Sequence, residues 1–597
     1  MPALVRWALP ALAALLVVPP QAAVASAPAI DVPTRVTRAD ILAGRATPSQ
    51  LHDYLRSSLR MLGFVAPGGP SEEATETEAG SETVAIGGYA YPILAVDLDG
   101  DGDEAVLLSQ YVGNREHFVA VEGDSIRWRY QLPKKMHEDG LLVGDLSPFS
   151  GQEILVVAHR HVGGGDTEFV MGLFGSFGML WSEKFGTDYP EFAGLVEADG
   201  DAESEIALKR YGDGGYEIEV VDGWTGTPRQ TVASSFGETT GLGSDEVFVT
   251  DGPAGAASEA VFLTWLPAGL GYQAERRRLD DGEVTFSDVV TQVSSFWLSQ
   301  GPDHTGDGRR DGVISRFDET SDTTGVFDAA TLRVAWTRTT PRPADDENGY
   351  SYESPYPAGD VDADGGVDLC SELISRRYGP DDEPVSWGAA VHCESGRTGL
   401  PLWKVERSGD VPADAYGYGY FDTYSDLDGD GLTDPIFESV TYRCDESGDY
   451  GCETLSSEMA AFSGRDASVI WQNPAIDPGL YWYAAGDELD GVAGDDILAE
   501  PYSEGSEDAD PRFSVLNGLD LSTSWEGTVD TEGNPGYFGS VIGADLDGDG
   551  ANESVATAYG YEFVSGDPDC WDYCEYEEYV YLAGFAAGGE RLWQLEL

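Results

Sequence analysis

At 597 residues the chain is long enough for several ordinary domains or for one large repeat array. It carries 107 acidic residues against 34 basic ones, and a net charge of −73 repels nucleic acid and anionic membranes while attracting divalent cations. Only five of the basic residues are lysine, a bias that suits a salt-rich habitat but also follows from a GC-rich genome, so the two origins stay open.

In chain order, the first element reads as a secretory signal over residues 1–25. Arg6 supplies the positive charge, Trp7 to Val18 is apolar, and Ala23-Val24-Ala25 forms a small-residue cleavage site before Ser26. No Cys stands at the cut for a lipid anchor. The apolar run is too short for a good membrane span, and no later stretch resembles one. The expectation is an exported protein, secreted or associated with the cell surface.

Residues 26–65 contain a short helical segment. Thr47 caps it, Pro48 takes the first helical position and Gln50 completes a capping box. Leu51, Tyr54, Leu55, Leu59 and Leu62 follow at helical spacing, and Gly63 can end the helix. Residues 66–83, rich in Pro, Gly, Ser, Glu and Thr, have no periodicity and read as a flexible linker.

From residue 84 to 597 the sequence repeats. Acidic loops begin at Asp97, Asp145, Glu197, Asp251, Asp303, Asp360, Asp426, Asp487 and Asp545, at intervals of 48 to 66 residues. An apolar run follows most loops, and most units later reach a strand ending at Trp: Trp128, Trp181, Trp336, Trp403, Trp471, Trp525 and Trp593. The third and fourth units lack that Trp. Each unit holds about four short strands divided by Gly, Asp and Ser turns, with no helical pattern between them. The expected fold is therefore all-β, a β-propeller of eight to nine four-stranded blades preceded by the helical segment. A ring protects edges that a flat stack would expose.

The loops carry the chemistry. In Asp426-Leu-Asp-Gly-Asp-Gly-Leu-Thr-Asp434, carboxylates fall at positions 1, 3, 5 and 9: Asp426, Asp428, Asp430 and Asp434. Calcium takes six to eight oxygens, and alternate residues of a tight loop can turn several carboxylates inward, with glycines at positions 4 and 6 supplying left-handed turns. The same set recurs as Glu197, Asp199, Asp201 and Glu205; as Asp360, Asp362, Asp364 and Asp368; and as Asp545, Asp547, Asp549 and Glu553. Thr305 takes position 3 in the loop of Asp303, Asp307 and Asp311. The loop of Asp97, Asp99, Asp101 and Asp103 ends one residue short, with Glu104 as its candidate last ligand. Three loops look degenerate: Asp145 with Glu153, Asp251 with Glu259, and Asp487 with Asp495. About six Ca²⁺ sites are expected. One acidic turn is commonplace on a surface; six in one register, each feeding an apolar strand, point to a cation.

Six cysteines fall into local pairs, Cys370 with Cys393, Cys444 with Cys452, and Cys570 with Cys574. In an exported chain these read as disulfides, since no neighbouring His or Cys completes a zinc site around Cys570 and Cys574.

Tyr537-Phe538-Gly539-Ser540-Val541, leading into Asp545-Leu-Asp-Gly-Asp-Gly, resembles the FG-GAP and VCBS repeats of integrin α-subunit-like propellers, although Ile542-Gly543-Ala544 departs from the GAP portion. The resemblance spans about residues 84–597 and implies a ring of blades with Ca²⁺ in the blade loops. The Trp-bearing strand ends are also similar to those of quinoprotein-type propellers.

No catalytic constellation emerges. His159 and His161 alternate on a strand without a third metal ligand, and no Gly-x-Ser-x-Gly, HExxH or phosphate-binding loop is present. Tyrosines gather before several loops, at Tyr350, Tyr352 and Tyr356, at Tyr416, Tyr418 and Tyr420, and at Tyr481-Trp482-Tyr483. They read as blade packing or as a carbohydrate or peptide platform. The leading expectation is an extracellular, calcium-stabilised binding or adhesion module for protein or glycan. The alternatives are a calcium-dependent polysaccharide lyase or other propeller enzyme, and a structural exoprotein without a specific ligand. Oligomeric state is not legible.

Overall fold

The computed structural model describes residues 89–597 apart from short stretches, the longest being 237–244, 502–510 and 566–574. The expected signal, helix and linker of residues 1–83 lie outside the described residues. Thirty-six strands form nine sheets, each a four-stranded antiparallel meander in sequence order. The fold is a nine-bladed β-propeller, so every acidic repeat has its own blade. Blades 1 to 9 span 89–131, 136–186, 191–233, 246–291, 297–341, 349–410, 416–473, 480–528 and 536–596.

Position in the blade dictates how each strand reads. The second and third strands are covered on both faces by adjacent blades, so their apolar residues run nearly unbroken. Glu259–Trp265 is buried over its first six residues. The fourth strand has one wet face and alternates, as Arg333–Pro341 does with its strict exposed and half-buried pattern. The apolar core is accordingly divided among the nine junctions. Leu107, Phe118, Ile154 and Phe174 lie between blades 1 and 2, for example, and Phe513, Trp525, Tyr581 and Phe585 between blades 8 and 9. The layer between blades 5 and 6 is the thinnest, with Val313, Val326 and Leu369 as its buried members. There Arg338 pairs with the buried Glu353 and Glu394 of blade 6. Cys370 and Cys393 stand opposite each other in blade 6 and form a disulfide. The strand register also sets Cys444 against Cys452, whereas Cys570 and Cys574 lie outside the described residues.

No strand is shared between the first and last blades; both are complete in sequence order. Closure rests on faces. Ala90, Val106, Leu108 and Val119 pack with Val555, Tyr559, Val580 and Leu582, and the Tyr559 hydroxyl donates to the Ala90 carbonyl.

The recurrent tryptophans link blades. From the fourth strand, Trp181, Trp336, Trp403 and Trp471 donate Nε1–H to the carbonyls of Gly223, Gly396, Gly464 and Gly518 at 2.9, 2.6, 2.7 and 2.7 Å. Each acceptor lies in the turn between the third and fourth strands of the next blade. The indole also lies against that turn: a Cβ on Gly399, which has φ +68°, would come within 2.6 Å of the Trp336 ring. Gly399→Ala is expected to cost about 2 kcal/mol or more, from the left-handed backbone and the overlap together. A urea midpoint indistinguishable from that of the unmodified protein would show the contact to be slack.

Candidate metal centres

Every acidic loop joins the first strand of its blade to the second. Numbering each loop from its first acid separates two jobs. Position 1 folds the loop onto itself: Asp426 accepts from the amides of Asp430 and Gly431 at 3.0 and 2.7 Å. Asp303 does the same for Gly306, Asp307 and Gly308 at 2.7, 3.1 and 2.7 Å, and Asp360 for Asp364 and Gly365 at 2.9 and 3.0 Å. Positions 4 and 6 take left-handed φ, as Gly429 at 69° and Gly431 at 81° show, and in the sixth loop Ala363 adopts φ 58° at position 4.

Position 9 opens the second strand or lies at its edge, and its carboxylate is buried. Asp368 accepts from Val361 and Gly396 at 2.7 and 2.8 Å. Asp434 accepts from Asp428 and Gly464 at 3.1 and 2.6 Å, and Asp311 from Thr305 and Ala329 at 2.9 and 3.0 Å. This acid ties the loop to the turn between strands three and four of its own blade. Burial pushes Asp311 and Asp368 up to about 6, and Glu205, Asp434 and Asp496 up to about 7.

The remaining carboxylates converge. In Asp97, Asp99 and Asp101, in Glu197, Asp199 and Glu205, in Asp360, Asp362 and Asp368, and in Asp426, Asp428 and Asp434, one oxygen from each residue lies within 4.8 Å of the others. Glu488, Asp490 and Asp496 form the same arrangement, which corrects the reading of the eighth loop. Its frame starts at Glu488, not Asp487, and Asp495 is its eighth residue, not its ninth. The loop is not degenerate: it has acids at positions 1, 3 and 9, and Val492 at position 5.

The eighth residue explains that frame. Its amide donates to the position 1 carbonyl of the preceding blade: Gln152 to Asp97, Ser204 to Asp145, Ser258 to Glu197, Val367 to Asp303, Asp495 to Asp426, and Glu104 to Asp545, at 2.7 to 2.9 Å. The last of these closes the ring. At three junctions the eighth side chain answers the bond, since Asp495, Glu104 and Ser258 accept from the amides of Asp426, Asp545 and Glu197 at 2.7, 3.0 and 3.1 Å. Glu104 is thus engaged with blade 9, while position 9 of the first loop is Ala105. Asp201 and Asp549 lie outside the described residues. In the ninth loop Glu553 accepts from Leu546 at 2.9 Å, the wrap expected of position 9; Asp545 and Asp547 occupy positions 1 and 3.

Arginines reach several loops. Arg127 pairs with Asp99 at 2.7 Å, Arg465 with Asp430 at 2.7 Å, and Arg229 with Asp199, Asp222 and Glu205. The fourth loop, which lacks inner acids, is filled by them. Arg309 donates to the Asp251 carbonyl at 2.9 Å and to Glu259 at 2.5 Å, and Arg310 binds both Asp251 carboxylate oxygens at 3.1 Å. In the second loop Glu153 accepts from the Leu146 amide at 2.9 Å and from the Ser147 hydroxyl.

The donor sets of the other loops are all oxygen, which fits a hard divalent cation. Position 3 supports the fit. Asp428 Oδ1 is buried without a hydrogen-bond partner.

No family model matches the chain, and no curated protein matches it. Among solved structures it is similar to a Dos1 propeller, with a TM-score of 0.30 and 10% identity over 67% of this chain and 86% of that one. It is also similar to a prolyl endopeptidase, with a TM-score of 0.27 and 13% identity over 60% of this chain. It spans about half of that second chain, 53%.

Two outcomes follow from the loop geometry. The raised position 9 acids keep their protons in the folded state after the unfolded chain has lost them near pH 4. Metal-free protein should therefore lose stability as pH rises from about 4 to 7, and a melting temperature higher at pH 7.5 than at pH 5 would show that other groups govern. Ala363→Gly should stabilise the protein by about 1 kcal/mol by relieving a left-handed alanine, measured by urea denaturation; a destabilised variant would contradict the strain.

Proposed function

We propose that this is an extracellular, calcium-stabilised propeller of the FG-GAP/VCBS kind that acts as a binding or adhesion module for protein or glycan. The observation that carries the cation reading is the convergence of three carboxylates in five loops, at positions 1, 3 and 9 in four of them and at positions 1, 3 and 5 in the first, with the buried, unpartnered Asp428 Oδ1 in one of those loops. The eighth loop joins the set, and the fourth stays outside it because arginines occupy its acids. Calcium bound in these loops draws together blade edges already joined by the belt of amide-to-carbonyl bonds.

The binding reading is supported by tyrosines on the first two strands of blade 7, Tyr416–Ser425 and Asp434–Cys444. Tyr416 is 50% exposed and stacks on Tyr442 with ring centroids 5.8 Å apart, while Tyr418 stacks on Tyr420 at 6.0 Å. Such ladders offer π faces to a sugar or a peptide. The adhesion role goes with the secretory signal expected at residues 1–25.

Elemental analysis of dialysed protein should find about six Ca²⁺ per chain. Each site held at a hundredfold excess over its Kd adds about 2.7 kcal/mol, so EGTA should lower the calorimetric melting temperature by many degrees. An unchanged melting temperature with no bound calcium would sink the reading. Glycan and cell-surface protein arrays should return a ligand whose binding falls on EGTA treatment and on Tyr416→Ala. Arrays that return nothing would leave a structural exoprotein.

A further inference from the structure

Strand register gathers polar groups at one corner of the closing junction, between blades 1 and 9. On the second strand of blade 1, Ala105–Val112, every residue from Ala105 to Gln110 is buried. Val106 and Leu108 belong to the apolar layer against blade 9, and residues two apart on a strand share a face. Gln110 therefore ends that row with an amide. Ala90 and His117 stand directly opposite it on the strands to either side. Val119, two residues on from His117 and part of the same layer, stands opposite Arg129 on the fourth strand. Residues directly opposite also share a face, so Gln110, His117 and Arg129 all face blade 9.

Polar atoms of all three are unmet there. Gln110 is fully buried, with no hydrogen-bond partner at its amide oxygen or its amide nitrogen. His117 Nδ1 and Arg129 Nε are buried and unpartnered as well. Buried polar groups are nearly always hydrogen-bonded, so a group of such atoms on one face calls for an occupant. Arg127, on the same strand, pairs with Asp99 and Glu122. Arg129 has no acid beside it among the described residues, and burial alone lowers its pKa. Burial first, and then the Arg129 and Arg115 guanidiniums, hold His117 below its usual range, so at neutral pH it is an uncharged imidazole with one N–H. Toward the rim Arg115 and Gln131 are exposed, and Arg115 donates to Gln131 Oε1 at 2.9 Å. The corner thus runs from a wet cationic rim to a dry amide.

We propose that Gln110, His117 and Arg129 hold a compact monovalent anion of the chloride class at this corner. Arg129 supplies the charge, while the Gln110 amide and the His117 ring supply N–H donors. Facing residues on neighbouring strands have Cβ atoms about 5 Å apart and diagonal ones about 7–8 Å, within the reach of long side chains, so the three can meet at one ion. Water alone would meet the hydrogen bonds but leave the desolvated guanidinium uncompensated. The net charge of −73 does not forbid the ion. Exposed charges beyond about 8 Å are largely screened at physiological salt, and the charges that act on His117 are the two arginines. Gln110 also lies five residues along the strand from the end of the acidic loop, about 17 Å away. The anion site does not depend on the calcium reading.

The test uses the full chain at constant Ca²⁺ and constant ionic strength, with sodium gluconate replaced stepwise by sodium chloride. The melting temperature should rise and level off as the site fills, and crystals soaked in bromide should give an anomalous peak beside Arg129 and Gln110. Arg129→Gln and Gln110→Leu should each raise the chloride midpoint at least about tenfold, since one removes the charge and the other the buried donor. Arg512→Gln, exposed on blade 8, should leave the midpoint unchanged. Melting temperatures in gluconate alone separate a lost ion from lost folding, and either variant suffices where the other fails to fold. A flat response to chloride in the unmodified protein would overturn the site, as would a corner holding water with no anomalous signal. A midpoint that neither variant moves would overturn it too.

Discussion

The hydrogen bond from the eighth residue of each loop to the first carbonyl of the loop before it is the constraint on which the ring depends. Because no strand is exchanged between blades 1 and 9, the ring has no interlocked seam and can open at any junction whose faces part. Six junctions carry this bond, including the closing one from Glu104 to Asp545. A backbone hydrogen bond is worth about 1 kcal/mol net, so six together match much of the stability of an ordinary domain, about 5–15 kcal/mol. The bond also sets the loop frame, because residue 8 must face backward to the previous blade while residue 9 turns inward to its own.

The tryptophans and the position 9 acids meet at the same glycine. Gly396 donates its amide to Asp368 and accepts the Trp336 indole at its carbonyl; Gly464 does the same between Asp434 and Trp403. The turn glycine is thus gripped from within its blade and from the blade before it. An acid at position 9 orients the turn, the turn presents a carbonyl, and the carbonyl docks the neighbour's indole. Loss of the acid would loosen a junction it does not itself touch.

Much of this was legible in the sequence, in physical terms that also mark its limits. The acidic register gave the repeat count because each loop needs its carboxylates and glycines at fixed spacing, and all nine repeats became blades. Cys370 and Cys393 were readable as a pair from their closeness along the chain, and the structure sets them opposite each other on adjacent strands. The eighth loop was misread by one residue because Asp487-Glu488 and Asp495-Asp496 offer two frames of nearly equal acidity. The signal that separates them is Leu489-Asp490-Gly491, which sets an acid and a glycine at positions 3 and 4 as in the loops of Asp97, Asp426 and Asp545 once the count starts at Glu488. Arg309 and Arg310 were hidden for a different reason: they neutralise a loop that precedes them by about fifty residues, across a blade junction.

The contrast between loops bears on what the acidic charge does. In the fourth loop the cation is covalent, since Arg309 and Arg310 bring guanidinium groups to Asp251 and Glu259 whatever the surrounding medium contains. In the loops of Asp360, Asp426 and Glu488 the converging carboxylates have to be neutralised by protons or by an exchangeable ion. On the proposed calcium reading, a ring built from both kinds would have some junctions held by the chain's own arginines and others whose strength follows the cation level outside. About six divalent ions would neutralise only about twelve charges, a small part of the net −73. Most of the acidic charge therefore lies outside the loops, where a field of that sign repels other acidic surfaces and, on the calcium reading, would raise the local concentration of the cations that the loops bind.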